Sequence, residues 1–138
     1  MPLGYRGEGV LLSAPMAAAT TIAKGDAVAF NAAAQLVRAP AGEKNPVGVA
    51  AESLTSEAGQ HPLLAFVKHG VAGVRAAAAV RAGDAVHIGT TAGEVAPMPD
   101  QAVNEAGLAS YTLHWNEKLG VALQDIAAGA VGDVFVGA

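Results

Sequence analysis

Two aspartates, Asp26 and Asp84, stand 58 residues apart in near-identical surroundings: "IAKGDAVAF" from Ile22 to Phe30 and "VRAGDAVHI" from Val80 to Ile88. Two carboxylates brought close together split their pKa values and can do acid–base work. The commoner use of a Gly-Asp pair is structural, with each Asp initiating a turn after its glycine and bonding its own backbone. The four histidines, His61, His69, His87 and His114, never fall at a metal-ligand spacing such as i, i+4. Ser13, Ser53, Ser56 and Ser110 lie in no G-x-S-x-G elbow or S-x-x-K pair, so no serine nucleophile is visible. "GTTAGE" from Gly89 lacks the lysine of a phosphate cradle and reads as a turn. Tyr111 and Trp115 would serve as a ligand platform or as anchors, and in an aromatic-poor chain the second use is expected, at a subunit interface. The expectation is a protein that is not an enzyme, with no catalytic residue, no metal and no cofactor.

The elements around these residues set further bounds. A chain of 138 residues makes one compact domain, here with a loose arm. Acidic residues outnumber basic ones by 12 to 8, and Arg6, Lys24, Arg38, Lys44, Lys68, Arg75, Arg81 and Lys118 are scattered singly. A phosphate-tracking surface clusters its cations, so no nucleic-acid partner is expected. The chain has no cysteine, hence no disulfide framework and no thiolate. Apolar runs are broken by Gly, Pro, Asp or Arg well before the ~18 residues of a membrane span, so no membrane partner is expected. "GVLLSAPMAAA" from Gly9 is a poor secretory signal, because Glu8 precedes it and Pro15 interrupts it. Only 14% of residues are charged while 52% are hydrophobic. A lone chain of this composition would show water bare Ala and Val, which subunit association would cover.

The repeated phrase extends into a repeated unit. Each copy continues through four turn-like residues into a short strand, "QLVRAP" from Gln35 and "GEVAPM" from Gly93, still 58 apart. Val47–Ala50 then matches Leu119–Ala122 at a spacing of 72, and Phe66-Val67 matches Phe135-Val136 at 69. The larger spacing marks an insertion at about 99–117, where Asp100 with Ala102, Val103, Ala106 and Leu108 predicts one short helix. Elsewhere short alternating runs bounded by turn residues predict a mainly β protein, a small barrel or sandwich. The pseudo-repeats span about 20–70 and 78–138 within a single β domain of residues 16–138. Gly48 marks a bulge or close backbone approach. Residues 1–15, with Pro2, Gly4, Gly7 and Gly9, read as an extended N-terminal arm. Each unit alone has too few strands to bury a face, and two packed together protect their edges.

The run "TTIAKGDAVAF", a turn, "NPVGVAAES", and then "VRAGDAVHI", "GEVAP" and "KLGVALQDIAAGAVGDVFVGA" resembles the capsid decoration (cement, head-stabilising) proteins of tailed bacteriophages over most of 20–138. The arm and the insertion lie outside the likeness. The resemblance implies a homotrimer that sits on the exterior of a phage head, binds the major capsid protein and stabilises the shell. Its place would be the virion, after synthesis in the bacterial host cytoplasm. Under that reading Leu3, Tyr5, Arg6, Val10, Leu11 and Leu12 of the arm are candidate capsid-binding residues. The alternatives are a barrel-sandwich carrier or accessory domain modified at Lys24 or Lys68, and a small β enzyme or sugar-binding domain using Asp26, Asp84 or Trp115.

Overall fold

The protein is described by a computed structural model covering residues 4–99 and 117–137. The described residues fold as eleven strands: β1 (Gly4–Pro15), β2 (Thr21–Ile22), β3 (Ala27–Phe30), β4 (Leu36–Arg38), β5 (Gly48–Ala50), β6 (Leu54–Thr55), β7 (Leu63–Arg75), β8 (Ala85–Ile88), β9 (Val95–Pro97), β10 (Gly120–Ala122) and β11 (Val131–Val136). The mainly β class expected from the alternating runs is the observed one. The short helix expected from Asp100 lies outside the described residues.

The Gly-Asp phrase is a turn in both copies. Ala23–Asp26 and Arg81–Asp84 are closed by the Asp26 N–H donating to the Ala23 carbonyl and the Asp84 N–H donating to the Arg81 carbonyl, each at 3.0 Å. Gly25 and Gly83 both take φ 91° at the third position, a left-handed conformation that a Cβ disfavours. The aspartates close the turn rather than initiate it. Asp26 Oδ2 accepts the Ala23 N–H and Asp84 Oδ2 accepts the Arg81 N–H, both at 3.0 Å.

From that turn each copy runs through the same pairings. β3 pairs with β4 and β5, as β8 pairs with β9 and β10. β5 joins β7 as β10 joins β11. The first half of β7 then pairs with β1, and β11 pairs with the second half of β7. A parallel bridge completes each circuit, Met16 to Leu36 in one copy and Ala76 to Val95 in the other. The result is two small barrels, β1–β7–β5–β3–β4 and β7–β11–β10–β8–β9, with β7 shared between them. Isolated contacts recur too: the Ile22–Leu54 pair of β2 and β6 is matched by the Val80–Ile126 bridge. The Lys24 N–H on Ser53 Oγ is matched by the Ala82 N–H on Asp125 Oδ1, both at 2.8 Å.

Residues 4–15, expected as an arm, are therefore strand β1, the counterpart of the second half of β7. β7 likewise runs on past Gly70, about where the first pseudo-repeat was expected to end. Gly70, at φ 138°, lets β7 continue past Gly9 of β1, where a Cβ on Gly9 would overlap the His69 carbonyl.

Two of the sequence spacings need correction. Phe30–Leu36 encloses five turn residues and Ile88–Val95 encloses six, so the returning strands stand 59 apart, not 58. Val67 faces Val49 while Phe135 faces Val121, so β7 and β11 are related by 68, not 69. Matching Phe66 to Phe135 pairs two aromatics that point to opposite faces. Phe66 fills the first barrel, and its counterpart inside the second is Val134.

Barrel interiors follow the same correspondence. Met16, Ile22, Val28, Leu36, Ala50, Leu64 and Phe66 fill the first. Ala76, Val80, Val86, Val95, Ala122 and Val134 hold the equivalent places in the second, and Gly132 stands in the place of Leu64. The vacancy is taken by Ile126, whose Cγ1 and Cδ1 would lie 2.5 and 2.7 Å from a Cβ on Gly132. Shape is thus conserved by a neighbour's side chain instead of by the residue itself.

Candidate functional site

The residues with chemical potential are used locally or stand apart. Each carboxylate of the Asp26–Asp84 pair is spent on its own turn. Half-burial of Asp26 pushes its pKa above the usual 3.8, opposed by the Ala23 N–H bond and the Arg38 charge. His61 Nδ1 lies 3.1 Å from the Met16 carbonyl, and His69 packs edge-on against the Phe135 ring at 5.0 Å. Among the described residues no three His, Asp or Glu side chains gather as a metal site. Ser56, buried, donates to the Ala17 carbonyl and accepts the Thr20 N–H, tying the segment after β1 to the end of β6. Lys24 is exposed in the Ala23–Asp26 turn, which links β2 to β3 and is not a hairpin tip, since those strands pair elsewhere. Lys68 is exposed within β7. An open groove of ≈ 480 Å³ lies between the barrels, walled by Ala41, Ala77, Ala78, Ile88 and Ala96, with His87 and Thr90 as its polar side chains. That lining does not converge polar groups on a small ligand.

The candidate surface is apolar instead. On β1, Val10, Leu11 and Leu12 are exposed, and Phe30 at the end of β3, Leu63 at the start of β7 and Leu123 after β10 are exposed as well. Leu3, Tyr111 and Trp115 lie outside the described residues, and Tyr5 and Arg6 are placed on the β1 backbone. Sequence reasoning found Val10, Leu11 and Leu12 by their place before the first repeat. It missed Phe30, Leu63 and Leu123, because an apolar residue at a strand end reads as core until its neighbours are known.

The two barrels meet in a contact that involves different parts of each. The first offers an outer wall, where Ala27, Ala29, Ala39, Val49 and Val67 are buried in one cluster with the second barrel. The second offers an end, made by the β8–β9 turn with Ala72, Ile88 and Val136. The turn is stitched to the wall: the Ala27 N–H donates to the Gly93 carbonyl at 3.0 Å, the Gly93 N–H to the Ala39 carbonyl at 2.8 Å, and the Gly42 N–H to the Gly89 carbonyl at 3.0 Å. A Cβ on Gly93 would press on the Arg38 side chain at 2.9 Å, which is why the tip comes so close.

No protein-family model matches the sequence, and no curated protein matches it. Among solved structures, the fold is similar to that of the head fibre gp8.5 N base of bacteriophage phi29, with a TM-score of 0.61 over 92% of this chain and 94% of the other. At 16% identity the likeness is one of fold.

Proposed function

We propose that this chain is a structural component of a bacteriophage head, a homotrimer that binds the exterior of the shell through the major capsid protein and stabilises it without catalysing a reaction. The fold shared over nearly the whole chain with the base of a phage head fibre is the observation that carries the reading. It agrees with the sequence motifs on a head-bound role and differs from them in the kind of appendage. The exposed apolar residues of β1 support it further. β1 is a long strand whose described pairing is with β7, and an open apolar edge invites another chain to pair with it. Three equivalent weak contacts would act together, raising overall binding by about 10²–10⁴ over one contact. Binding the assembled shell in preference to its dissociated parts would stabilise it by mass action.

Truncation through Ser13 would strip β7 of a partner strand, so substitution is the cleaner test. The experiment is co-sedimentation with purified empty heads of the phage whose genome carries the gene. Wild-type protein is expected to pellet with the heads. A Val10→Asp/Leu11→Asp variant with unchanged circular dichroism is expected to stay in the supernatant. Failure of the wild-type chain to bind such heads would refute the proposal.

A further inference from the structure

The wall-to-end contact between the barrels is one-sided. If the two copies met about a twofold axis, equivalent residues would be equally buried. They are not. Ala27 and Val49 on the wall of the first barrel are fully buried, while the same residue types on the second, Ala85 and Val121, are half-buried. At the ends the asymmetry reverses. Ala72 and Ile88 of the second barrel are 0% and 1% exposed, while their counterparts Leu12 and Phe30 in the first are 46% and 43% exposed. Among the described residues, one wall and one end are therefore used within the chain, and one wall and one end of the same kinds are left over.

We infer that the spare end of one chain docks on the spare wall of a second chain, repeating between chains the contact that joins the two barrels within one. The occupant is a second molecule of this protein, because the surface it would cover is built like a surface this protein already covers. The turn at the spare end is one residue shorter but keeps the left-handed position. Gly93, which enters the wall within the chain, takes φ 74°, and its counterpart at the spare end, Ala34, takes φ 60°. An alanine held in that left-handed region is disfavoured by about 1–2 kcal/mol relative to ordinary backbone, so the position is retained against local preference. The contact is heterologous, joining unlike patches, and such contacts either close into rings or run on as filaments. Three chains closing head to tail would give a ring of six barrels. This deepens the homotrimer within the proposed function by naming its interface, and it does not depend on the shell.

The chain has no cysteine, which allows a direct test. Within the chain Gly93 bonds Ala39, and the counterparts of these two residues are Ala34 and Met98. An Ala34→Cys/Met98→Cys protein, oxidised or treated with a short bismaleimide, is expected to give a covalent closed trimer on a denaturing gel. Either single variant is expected to run as one chain. Phe30→Glu, at a position exposed in the lone chain, is expected to raise the concentration at which the assembly half-dissociates by at least about tenfold, a modest loss for one anchor. A trimer by native mass spectrometry that fails to cross-link would place the interface elsewhere and overturn this inference alone. A ladder extending beyond three chains would overturn the closed ring. A single-chain species at micromolar concentration would overturn both this contact and the trimer of the proposed function. Covalent trimers that ignore phage heads would leave the contact standing and remove the shell-binding role.

Discussion

Replacing Gly48 or Gly120 by alanine tests whether the duplicated barrel is held by the same close approach in both copies. The two glycines are counterparts, one on β5 and one on β10. An alanine Cβ would lie 2.3 Å from the Val67 carbonyl oxygen at Gly48 and 2.1 Å from the Phe135 carbonyl oxygen at Gly120. Ordinary contact begins at 3.4 Å, so each strand would have to retreat by roughly 1.1–1.3 Å from its neighbour. β5 has nowhere to go, because β3 pairs with its other edge and the Val47 N–H donates to the Val28 carbonyl at 2.9 Å. A bond such as the Ala51 N–H to the Ala65 carbonyl, also 2.9 Å, would stretch beyond hydrogen-bonding range. Losing about two ladder bonds at about 1 kcal/mol each, with some burial of unpaired groups, gives a destabilisation of about 3 kcal/mol for either variant.

At this chain length about 3 kcal/mol corresponds to a fall in Tm of about 10 °C. Gly59→Ala and Gly129→Ala are the controls. Unlike Gly48 and Gly120 they are left-handed, with φ values of 76° and 81°, but an added Cβ meets nothing within 4 Å. Each control should lose only about 1 kcal/mol, from backbone strain alone. Thermal melts followed by circular dichroism, with urea titrations to check that the m-value holds, would measure all four. If Gly48→Ala and Gly120→Ala melted with the controls, the clash would be relieved by a motion the pairing scheme does not contain, and the reasoning would fail.

Two further predictions follow from individual side chains. Gly132→Ala should destabilise by about 1.5 kcal/mol by crowding Ile126, but the same change made in an Ile126→Ala background should be neutral or stabilising. Urea unfolding of the double-mutant cycle measures the change of sign. Burial raises the Asp26 pKa in the folded chain, so the folded state holds that proton more tightly than the unfolded state. Its contribution therefore favours folding at low pH and is lost as pH rises from the ordinary value of 3.8 through the raised one. The stability difference between wild type and Asp26→Asn, measured by urea unfolding across roughly pH 3.5–6, should fall with rising pH, and a flat or rising difference would contradict the burial argument.

The parts of this architecture that were legible in the sequence are those fixed by local chemistry. "KGD" and "AGD" needed a glycine at a left-handed position and an aspartate to bond the turn, so the repeat announced itself. Gly48 could be read as a close approach because its Cβ would have no room. The wider frame of the repeat was not legible. β1 and the second half of β7 do the same work, yet Leu12, Ala14 and Met16 stand where Ala72, Val74 and Ala76 stand, and nothing in those residue types says counterpart. The role of β1 is set by its pairing with β7, a relation over 48 residues at Pro15–Leu63 and 69 at Gly4–Gly73 that no local pattern encodes. The same holds for the candidate surface. Ala27 and Ala85 are one residue type in one repeated phrase, and only the packing of the second barrel makes the first buried and leaves the other half-exposed.

The residues that differ between the used and the spare ends bear on why a duplicated chain would carry both. Within the chain the end meets its wall at the high effective concentration set by covalent linkage, so the smaller side chains, Ala72 and Ile88, suffice. Between chains the same contact must also offset the loss of free translation and rotation, about 4–15 kcal/mol. Leu12 and Phe30, which replace Ala72 and Ile88 at the spare end, bring about six more carbons to bury, worth about 5 kcal/mol at about 0.8 kcal/mol each. The enlarged side chains thus stand where association between molecules needs more surface, and the smaller ones where it does not. Exchanging them, with Leu12→Ala and Phe30→Ile at the spare end, should therefore leave each chain folded with its barrels joined while the chains come apart in sedimentation. If the exchanged protein stayed assembled at the same concentration, the extra carbons would have no part in the contact.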